Sequence, residues 1–457
     1  MLLVRADTMD QILTDGEHVV SRSGTTYTIQ RKINAGGQAE LYLVTSDNQN
    51  YVLKVYYVGT GTKNQRKLLA RLLDLTPPSR CFVWPIDLVD LKNYNTIGYI
   101  MDYLDTTNYS TLDDLLFEET EPKLYRDVMS AFLLSDSFFR LHIRGLIHAD
   151  ISGGNVWINR ETGDVRISDC DNIIFSNERS EIGGTWDFKA PEIILQELDS
   201  GRSNLSADTD RHSLAVVLFL ILFHHHPLEG KKENEYGVIN TATKIEMYGK
   251  HPIFIYDPKN TENRPDPDTQ GVVEYFWEKY PQFIKDLFLE TFTVGLKNPK
   301  TGRTREIIWR KNFLKLRDSV IRCSICGCDN FREPERSNER NQKEFVCWGC
   351  ETLQKFPPQL VISGSGIVHT INLNEGMFIY KTHIDNSYTI DVKIGRIEGK
   401  TIDNTKFMGI RNISSETWSF SVANKTAEEL SPGKAILARE DIRIRFPGGI
   451  MGTFIAG

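Results

Sequence analysis

The sequence predicts a mixed α+β domain over roughly its first 320 residues, then a small four-cysteine knuckle, then an all-β sandwich. Three observations carry this. Short β-prone runs and helix-like apolar segments follow one another up to Phe223; two C-x2-C pairs stand at Cys323 to Cys350; and after Pro357-Pro358 brief β runs alternate with Gly, Asn, Asp and Ser. With 457 residues, 40% hydrophobic and 25% charged, the chain has the composition of a soluble protein and room for three or four domains.

The first strands are Tyr27 to Ile33 and Leu41 to Thr45, joined by Asn34-Ala35-Gly36-Gly37-Gln38-Ala39-Glu40. Such a turn of small residues lets backbone N–H groups approach phosphate oxygens. An ordinary hairpin fits it equally well. Tyr51 to Tyr56 is a further β run with Lys54 inside it, either a functional cation or an edge lysine reaching water. Leu68, Leu69, Leu72 and Leu73 give Lys63 to Leu75 one apolar helical face. No glutamate occurs between Lys54 and Met101, so Gln65 is the best-placed polar residue to meet Lys54. A neutral partner orients an ammonium less strongly than a carboxylate does.

Further along, His148-Ala149-Asp150-Ile151-Ser152-Gly153-Gly154-Asn155 places an acid and an amide five residues apart. Val165 to Asp171 has the alternation of a short strand ending in acid, with Asp169 at its tip. Gly184-Thr185 and Ala190-Pro191-Glu192 follow, and Ser176, Ser180 and Thr185 are the hydroxyl residues of that segment. Ser213 to Phe223 is too short to span a bilayer and reads as a buried helix.

In this order the motifs resemble the eukaryotic-type Ser/Thr protein kinases, over about residues 27 to 320. The resemblance implies a bilobal protein-kinase fold, with an N-terminal extension at 1–26, an N-lobe at 27–104 and a C-lobe at 105–320. It also implies that Asp150 accepts the proton of a substrate hydroxyl, that Lys54 pairs with the α- and β-phosphates of ATP, and that Asn155 and Asp169 hold magnesium. Gly36 and Gly37 become the phosphate lid, Met101 the gatekeeper, and Asp102, Tyr103 and Leu104 the hinge that reads adenine. Asp210 is expected to cap the central helix and brace the catalytic loop. The segment from Gly184 to Glu192 is the platform for a peptide, which points to a protein substrate rather than a small molecule. The chain departs from the family at Asn34 and Ala39, which replace outer glycines, at Ser152, where a lysine is usual, and at Ala149, where an arginine is usual. Without that arginine an activation-segment phosphate has no receptor, so activity is expected to be independent of loop phosphorylation. A nucleotide-binding pseudokinase scaffold is the alternative reading.

Cys323, Cys326, Cys347 and Cys350 form a C-x2-C, x20, C-x2-C array suited to a structural zinc ion, which defines a zinc ribbon at 321–356. Seven cysteines and an N-terminus that turns charged by Asp7 speak against a secreted disulfide framework. Cys328 is a spare ligand beside Cys326, and Cys81 and Cys170 are expected to be buried thiols. Arg332, Arg336, Arg340 and Lys343 alternate with Glu333, Glu335, Glu339 and Glu344, and the chain carries net charge -7, which disfavours nucleic acid. His224 to His226 are expected to be lobe-surface residues rather than metal ligands, and His251 to Ile255 with Asn263 to Pro265 an insert without assigned chemistry.

The tail, 357–457, contains β runs at 360–362, 368–373, 377–380, 388–396, 418–422 and 442–446. The order Gly395-Arg396, Ile410 to Ser414, Trp418, Ser431 to Lys434 resembles a forkhead-associated domain, which implies that Arg396 contacts a phosphothreonine. Other β-sandwich modules fit the strand spacing too. Kinase, ribbon and sandwich together resemble a group of bacterial kinases tied to tellurite-resistance and stress systems. That resemblance implies a cytoplasmic protein with a von Willebrand A-type protein and a cognate Ser/Thr phosphatase as partners, and no membrane association.

Overall fold

A computed structural model describes residues 11–118, 123–176, 184–332, 343–385, 387–388, 390, 392–402, 405–423 and 425–457. Ser180 and the charged residues Glu333, Glu335, Arg336, Glu339 and Arg340 lie outside the described residues. The chain divides into two compact units, one of residues 1–118, 137–217 and 248–250, the other of 119–136, 218–247 and 251–457.

The first unit is built on an antiparallel six-stranded sheet. Its strands are β1 (His18–Val20), β2 (Thr26–Ala35), β3 (Ala39–Ser46), β4 (Gln49–Tyr56), β5 (Pro85–Leu91) and β6 (Thr96–Asp102), in the order β1-β2-β3-β4-β6-β5. Alternation explains it: Tyr27, Ile29, Tyr42, Val44, Leu53 and Val55 point to one face and bury there with Leu13 and Ile100. The sheet therefore takes in residues that the sequence assigned to an extension, since His18 pairs with Thr28 and Leu13 is fully buried. Asp47 and Asn48, both left-handed, form the two-residue turn that carries β3 into β4. Gly98 on β6 admits no side chain, because a Cβ there would lie 2.6 Å from the carbonyl oxygen of Lys54.

Helix α1 (Lys63–Leu73) begins where the Thr62 side chain accepts from the Gln65 N–H. It ends two residues before the expected Leu75, with Leu69 and Leu72 buried and Leu69 packed into the core on the other face of the sheet. Downstream, Val156–Asn159 pairs with Val165–Ile167 and with Tyr109–Thr111, a small sheet that holds the loop before it and the turn after it. The expected strand to Asp171 stops at Ile167. Asp169 turns left-handed, at φ 53°, and Cys170–Asn172 form a 3-10 turn. The apolar run 213–223 is helical within Ala207–Phe223. Ser206 and Thr209 cap that helix reciprocally, so Asp210 sits inside the first turn rather than at the cap.

The second unit centres on Gln282–Lys297 and helix α2 (Glu306–Ser319), around packed aromatics that include Phe219, Phe288, Phe292 and Trp309, with Phe288 and Phe292 stacked. Asn263, buried, donates to the carbonyls of Leu228 and Ile253 at 2.9 and 2.8 Å, and Arg264 donates to those of Ile255 and Asp257. The insert is thus a structural clip.

Two hairpins follow, Val320–Arg322 with Asp329–Phe331 and Glu344–Val346 with Leu353–Lys355. The tail comprises β7 (Gln359–Gly364), β8 (Ile367–Asn372), β9 (Phe378–Tyr380), β10 (Lys393–Ile402), β11 (Thr405–Asn412), β12 (Trp418–Val422), β13 (Glu428–Leu430), β14 (Ala435–Leu437), β15 (Ile442–Arg445) and β16 (Met451–Ile455). Sheets β8-β7-β16-β15-β12-β13 and β9-β10-β11-β14 share one core around Trp418, Ile397, Ile410 and Phe454. The expected run from Tyr388 begins at Lys393, and β11, β13, β14 and β16 were not foreseen.

Candidate active site and cysteine knuckle

All ten residues singled out for nucleotide chemistry line one cavity of about 610 Å³ in the first unit: Gly36, Gly37, Lys54, Met101, Asp102, Tyr103, Leu104, Asp150, Asn155 and Asp169. The β2–β3 turn supplies the glycines and the end of β6 supplies Met101 and Asp102. Val52, Val83 and Trp157 add an apolar lining.

Asp150 has a set geometry. Thr185 Oγ1 donates to its Oδ1 at 3.1 Å, while Asn172 Nδ2 and Asn155 Nδ2 reach its Oδ2 at 3.3 and 3.4 Å. Asn155 Nδ2 also donates to the Asp150 carbonyl at 3.0 Å, which leaves the side-chain oxygen Oδ1 of Asn155 for a cation. The loop before Asp150 hangs on Asp210, whose carboxylate accepts from the N–H groups of His148 at 2.7 Å and Ala149 at 3.3 Å and lies 2.9 Å from His142 Nε2. Asp210 therefore braces the loop as expected.

Lys54 is buried, and its Nζ lies 3.0 Å from Asp169 Oδ1 and 3.0 Å from Asp171 Oδ1. Burial works against the ammonium, but the charges of Asp171 and Asp169 outweigh it and raise its pKa. Asp171 is fully buried; this favours its neutral form, yet Lys54 and the hydroxyls of Tyr56 and Tyr99 hold its pKa below the ordinary value. Tyr99 Oη donates at 2.9 Å and Tyr56 Oη at 2.5 Å. Gln65 does not meet Lys54: its Nε2 donates to the Asp171 carbonyl at 2.8 Å and to Tyr56 Oη at 3.2 Å. Sequence reasoning missed Asp171 and Asn172. The available signal was a second acid two residues after Asp169, in a chain whose α1 has none.

Residues 27–291 match the protein kinase domain model, more than half of the chain, and the chain belongs to that family. The serine/threonine-protein kinase ssp1 of Schizosaccharomyces pombe is 34% identical over 161 residues, 33% of this chain and 24% of that protein. The mitogen-activated protein kinase kinase SIPKK of Nicotiana tabacum is 26% identical over 221 residues, 48% of this chain and 59% of that one. The matched stretch thus spans less than two thirds of either relative's length. Among solved structures, vaccinia related kinase 3 aligns with a TM-score of 0.42 and 16% identity, over 64% of this chain and 94% of that chain.

In the second unit the Sγ atoms of Cys323, Cys326, Cys347 and Cys350 lie within 4.8 Å of one another. Cys323 to Cys350 is 3.7 Å and Cys326 to Cys347 3.6 Å. A tetrahedron of thiolates around zinc has edges of about 3.8 Å for Zn–S bonds of about 2.3 Å. Both knuckles repeat one pattern: Ile325 N–H donates to Cys323 Sγ and Gly349 N–H to Cys347 Sγ, each at 3.4 Å. The donor set and spacing fit zinc. Cys328 stands aside, its Sγ turned to the Asp329 carbonyl at 3.4 Å. Cys81 and Cys170 are buried. His225 and His226 bond the backbone of Glu229 and Leu228, and among the described residues the four cysteines are the one group arranged for a metal.

In the tail, Arg396 stands mid-strand on β10, opposite Phe378 and Arg411. Gly395 serves packing, since a Cβ there would lie 3.2 Å from both Trp418 and Ile379. Ser414 is held in a turn by Asn412 Oδ1 at 2.7 Å. No helix among the described residues is long and apolar enough to cross a membrane.

Proposed function

We propose that the protein is a magnesium-dependent Ser/Thr protein kinase that transfers the γ-phosphate of ATP to a protein hydroxyl. The observation that carries this is the set of donors around Asp150: Thr185, Asn155 and Asn172 fix a carboxylate at the cavity where a substrate hydroxyl would lose its proton. Lys54 is the phosphate clamp, Gly36 and Gly37 cover the phosphates, and the backbone of Asp102 to Leu104 reads adenine. Asn155 and Asp169 are the magnesium ligands: Asp169 is part-exposed at the cavity, and with Asn155 Nδ2 bonded to Asp150 its side-chain oxygen Oδ1 is the atom that would face the ion. Bound magnesium would neutralise charge on the phosphate oxygens. Thr185, at the head of the Gly184 to Glu192 platform, ties the catalytic carboxylate to the surface on which a peptide would lie, which supports a protein substrate.

Zinc in the four-cysteine knuckle is structural in this reading. The tail recruits a partner, a von Willebrand A-type stress protein being the candidate and a Ser/Thr phosphatase the counterpart, in a cytoplasmic setting. The mid-strand position of Arg396 favours a protein-docking sandwich over a phosphothreonine clamp of the forkhead-associated kind.

The test is transfer of labelled γ-phosphate from ATP with magnesium, onto the protein itself and onto a basic substrate, for the wild type, Asp150→Ala and Asp169→Ala. Incorporation lost in both variants supports the kinase. Nucleotide binding without transfer in any version supports the pseudokinase scaffold instead.

A further inference from the structure

We propose that Asp171 is the residue that positions Lys54 for phosphoryl transfer, supplying from the turn after Asp169 the carboxylate that helix α1 lacks. The inference rests on the kinase reading and deepens it. Residues 63–73 contain no acid, and Gln65 on α1 is committed to Tyr56 and to the Asp171 backbone.

The two carboxylates on Lys54 differ in what else they can do. The Asp169 side chain is 39% exposed at the cavity. That of Asp171 is 2% exposed and its oxygens are taken, Oδ1 by Lys54 and Tyr99, Oδ2 by Tyr56. A carboxylate so enclosed has no room for a cation or a phosphate, so it acts through the lysine. The rings of Tyr56 and Tyr99 complete the enclosure, 5.9 and 6.0 Å from Nζ. Asp169 also reaches the ammonium at 3.0 Å, but only Asp171 is enclosed with it; without Asp171, the part-exposed Asp169 would be the lysine's remaining carboxylate.

A second consequence concerns control. A lysine whose partner sits on a helix loses that partner when the helix moves. Here the partner sits in the 3-10 turn that the proposed metal ligand begins, so both are set together, and α1 braces that turn through the Gln65 hydrogen bond to the Asp171 carbonyl.

The experiment uses the full chain and compares Asp171→Asn with the wild type for binding of adenosine, binding of ATP with magnesium, and turnover. Adenosine lacks the phosphates that Lys54 would contact, so it reports the integrity of the cavity alone. The expected result is adenosine affinity within about twofold of wild type, with ATP affinity down about tenfold or kcat down about a hundredfold. Wild-type values for all three overturn the proposal, and so does a parallel loss of adenosine and ATP binding, which would make Asp171 a fold element only. If Asp171→Asn does not fold, Tyr99→Phe, which removes one hydroxyl from the carboxylate, takes its place. An ATP-specific loss of several-fold then supports the proposal, while no loss or a parallel loss overturns it. A wild type that binds ATP yet phosphorylates nothing would defeat the kinase reading separately, because the ratio of ATP to adenosine affinity still reports on Asp171.

Discussion

Thr185 Oγ1 donates to Asp150 Oδ1 from the far end of the activation segment, and this one bond links the state of that segment to the orientation of the proposed base. Removing it should loosen the carboxylate without touching the nucleotide. Thr185→Ala is expected to lower kcat about tenfold at unchanged KM for ATP, and Thr185→Ser to restore it; steady-state kinetics at varied ATP decides. Ala149 makes a second case. It holds a left-handed φ of 66°, a conformation that costs an L-residue about 1–2 kcal/mol, because its N–H must reach Asp210. Ala149→Gly should relieve that strain at some cost in unfolded-state entropy, for a net gain of about 0.5–1 kcal/mol, read as a rise in the urea midpoint. At this scale the ten residues singled out in the sequence all line the cavity, because their spacing along the chain is the chemistry itself, while Asn172, which lines it too, was missed. The sequence did not reveal Asp171, since the turn that buries the residue depends on the left-handed Asp169 and on tyrosines from β4 and β6.

Among the elements, the cysteine knuckle offers a sharp contrast between adjacent positions. Cys326 and Cys328 are both close to the site in sequence, but Cys326 Sγ stands 3.6 Å from Cys347 Sγ while Cys328 Sγ bonds the Asp329 carbonyl. Metal analysis of the purified protein should find one zinc per chain, kept by Cys328→Ser and lost from Cys326→Ser and Cys347→Ser. A zinc content unaffected by Cys326→Ser would place the fourth ligand elsewhere. The legible elements were those whose hydrophobic period is strong or whose spacing is chemical: β2 to β4, α1, the helix around 213–223 and the two knuckles. The elements missed are three-residue strands such as β13 and β14, the terminal β16, and β11, whose sequence carries Lys406, Gly409 and Arg411 and hides its alternation. Gly409 is there because a Cβ would lie 2.7 Å from the Ile436 carbonyl on β14, a constraint that exists only once the strands pair.

On the scale of the whole molecule, the sandwich is bonded to helix α2 within one compact unit rather than hung on a free linker. Asn372 donates to the Asp318 carbonyl at 3.0 Å and Asn374 to that of Val320 at 2.8 Å. Below them Arg317 Nη2 lies 2.7 Å from Asp318 Oδ1, and His383 Nε2 lies 3.3 Å from Asp318 Oδ2. His369 stacks edge-on to His383 at 5.2 Å. Burial lowers the pKa of both imidazoles, partly offset by Asp318, and the neighbouring Arg317 adds to the lowering; for His369 the value falls to about 4, with Lys311 contributing. In the unfolded chain a histidine titrates near 6.5. As pH falls below that value the unfolded state takes up protons that the folded state refuses, so stability declines from about pH 6.5 down to about 4, where His369 at last protonates. Asp318 adds to the fall only at lower pH: burial would raise its pKa, but Arg317 and His383 hold it well below the ordinary value, so its contribution starts to fade at the unfolded carboxylate range and is lost only as pH drops on through the lower folded value. The histidine part should amount to about 3–4 kcal/mol for His369 once pH has fallen through both values, since each pKa unit is worth about 1.4 kcal/mol. Thermal unfolding between pH 7.5 and 4.5 should show this decline in the wild type and a flatter profile in His369→Gln; parallel profiles for the two proteins would mean that the junction between helix and sandwich is not what acid attacks.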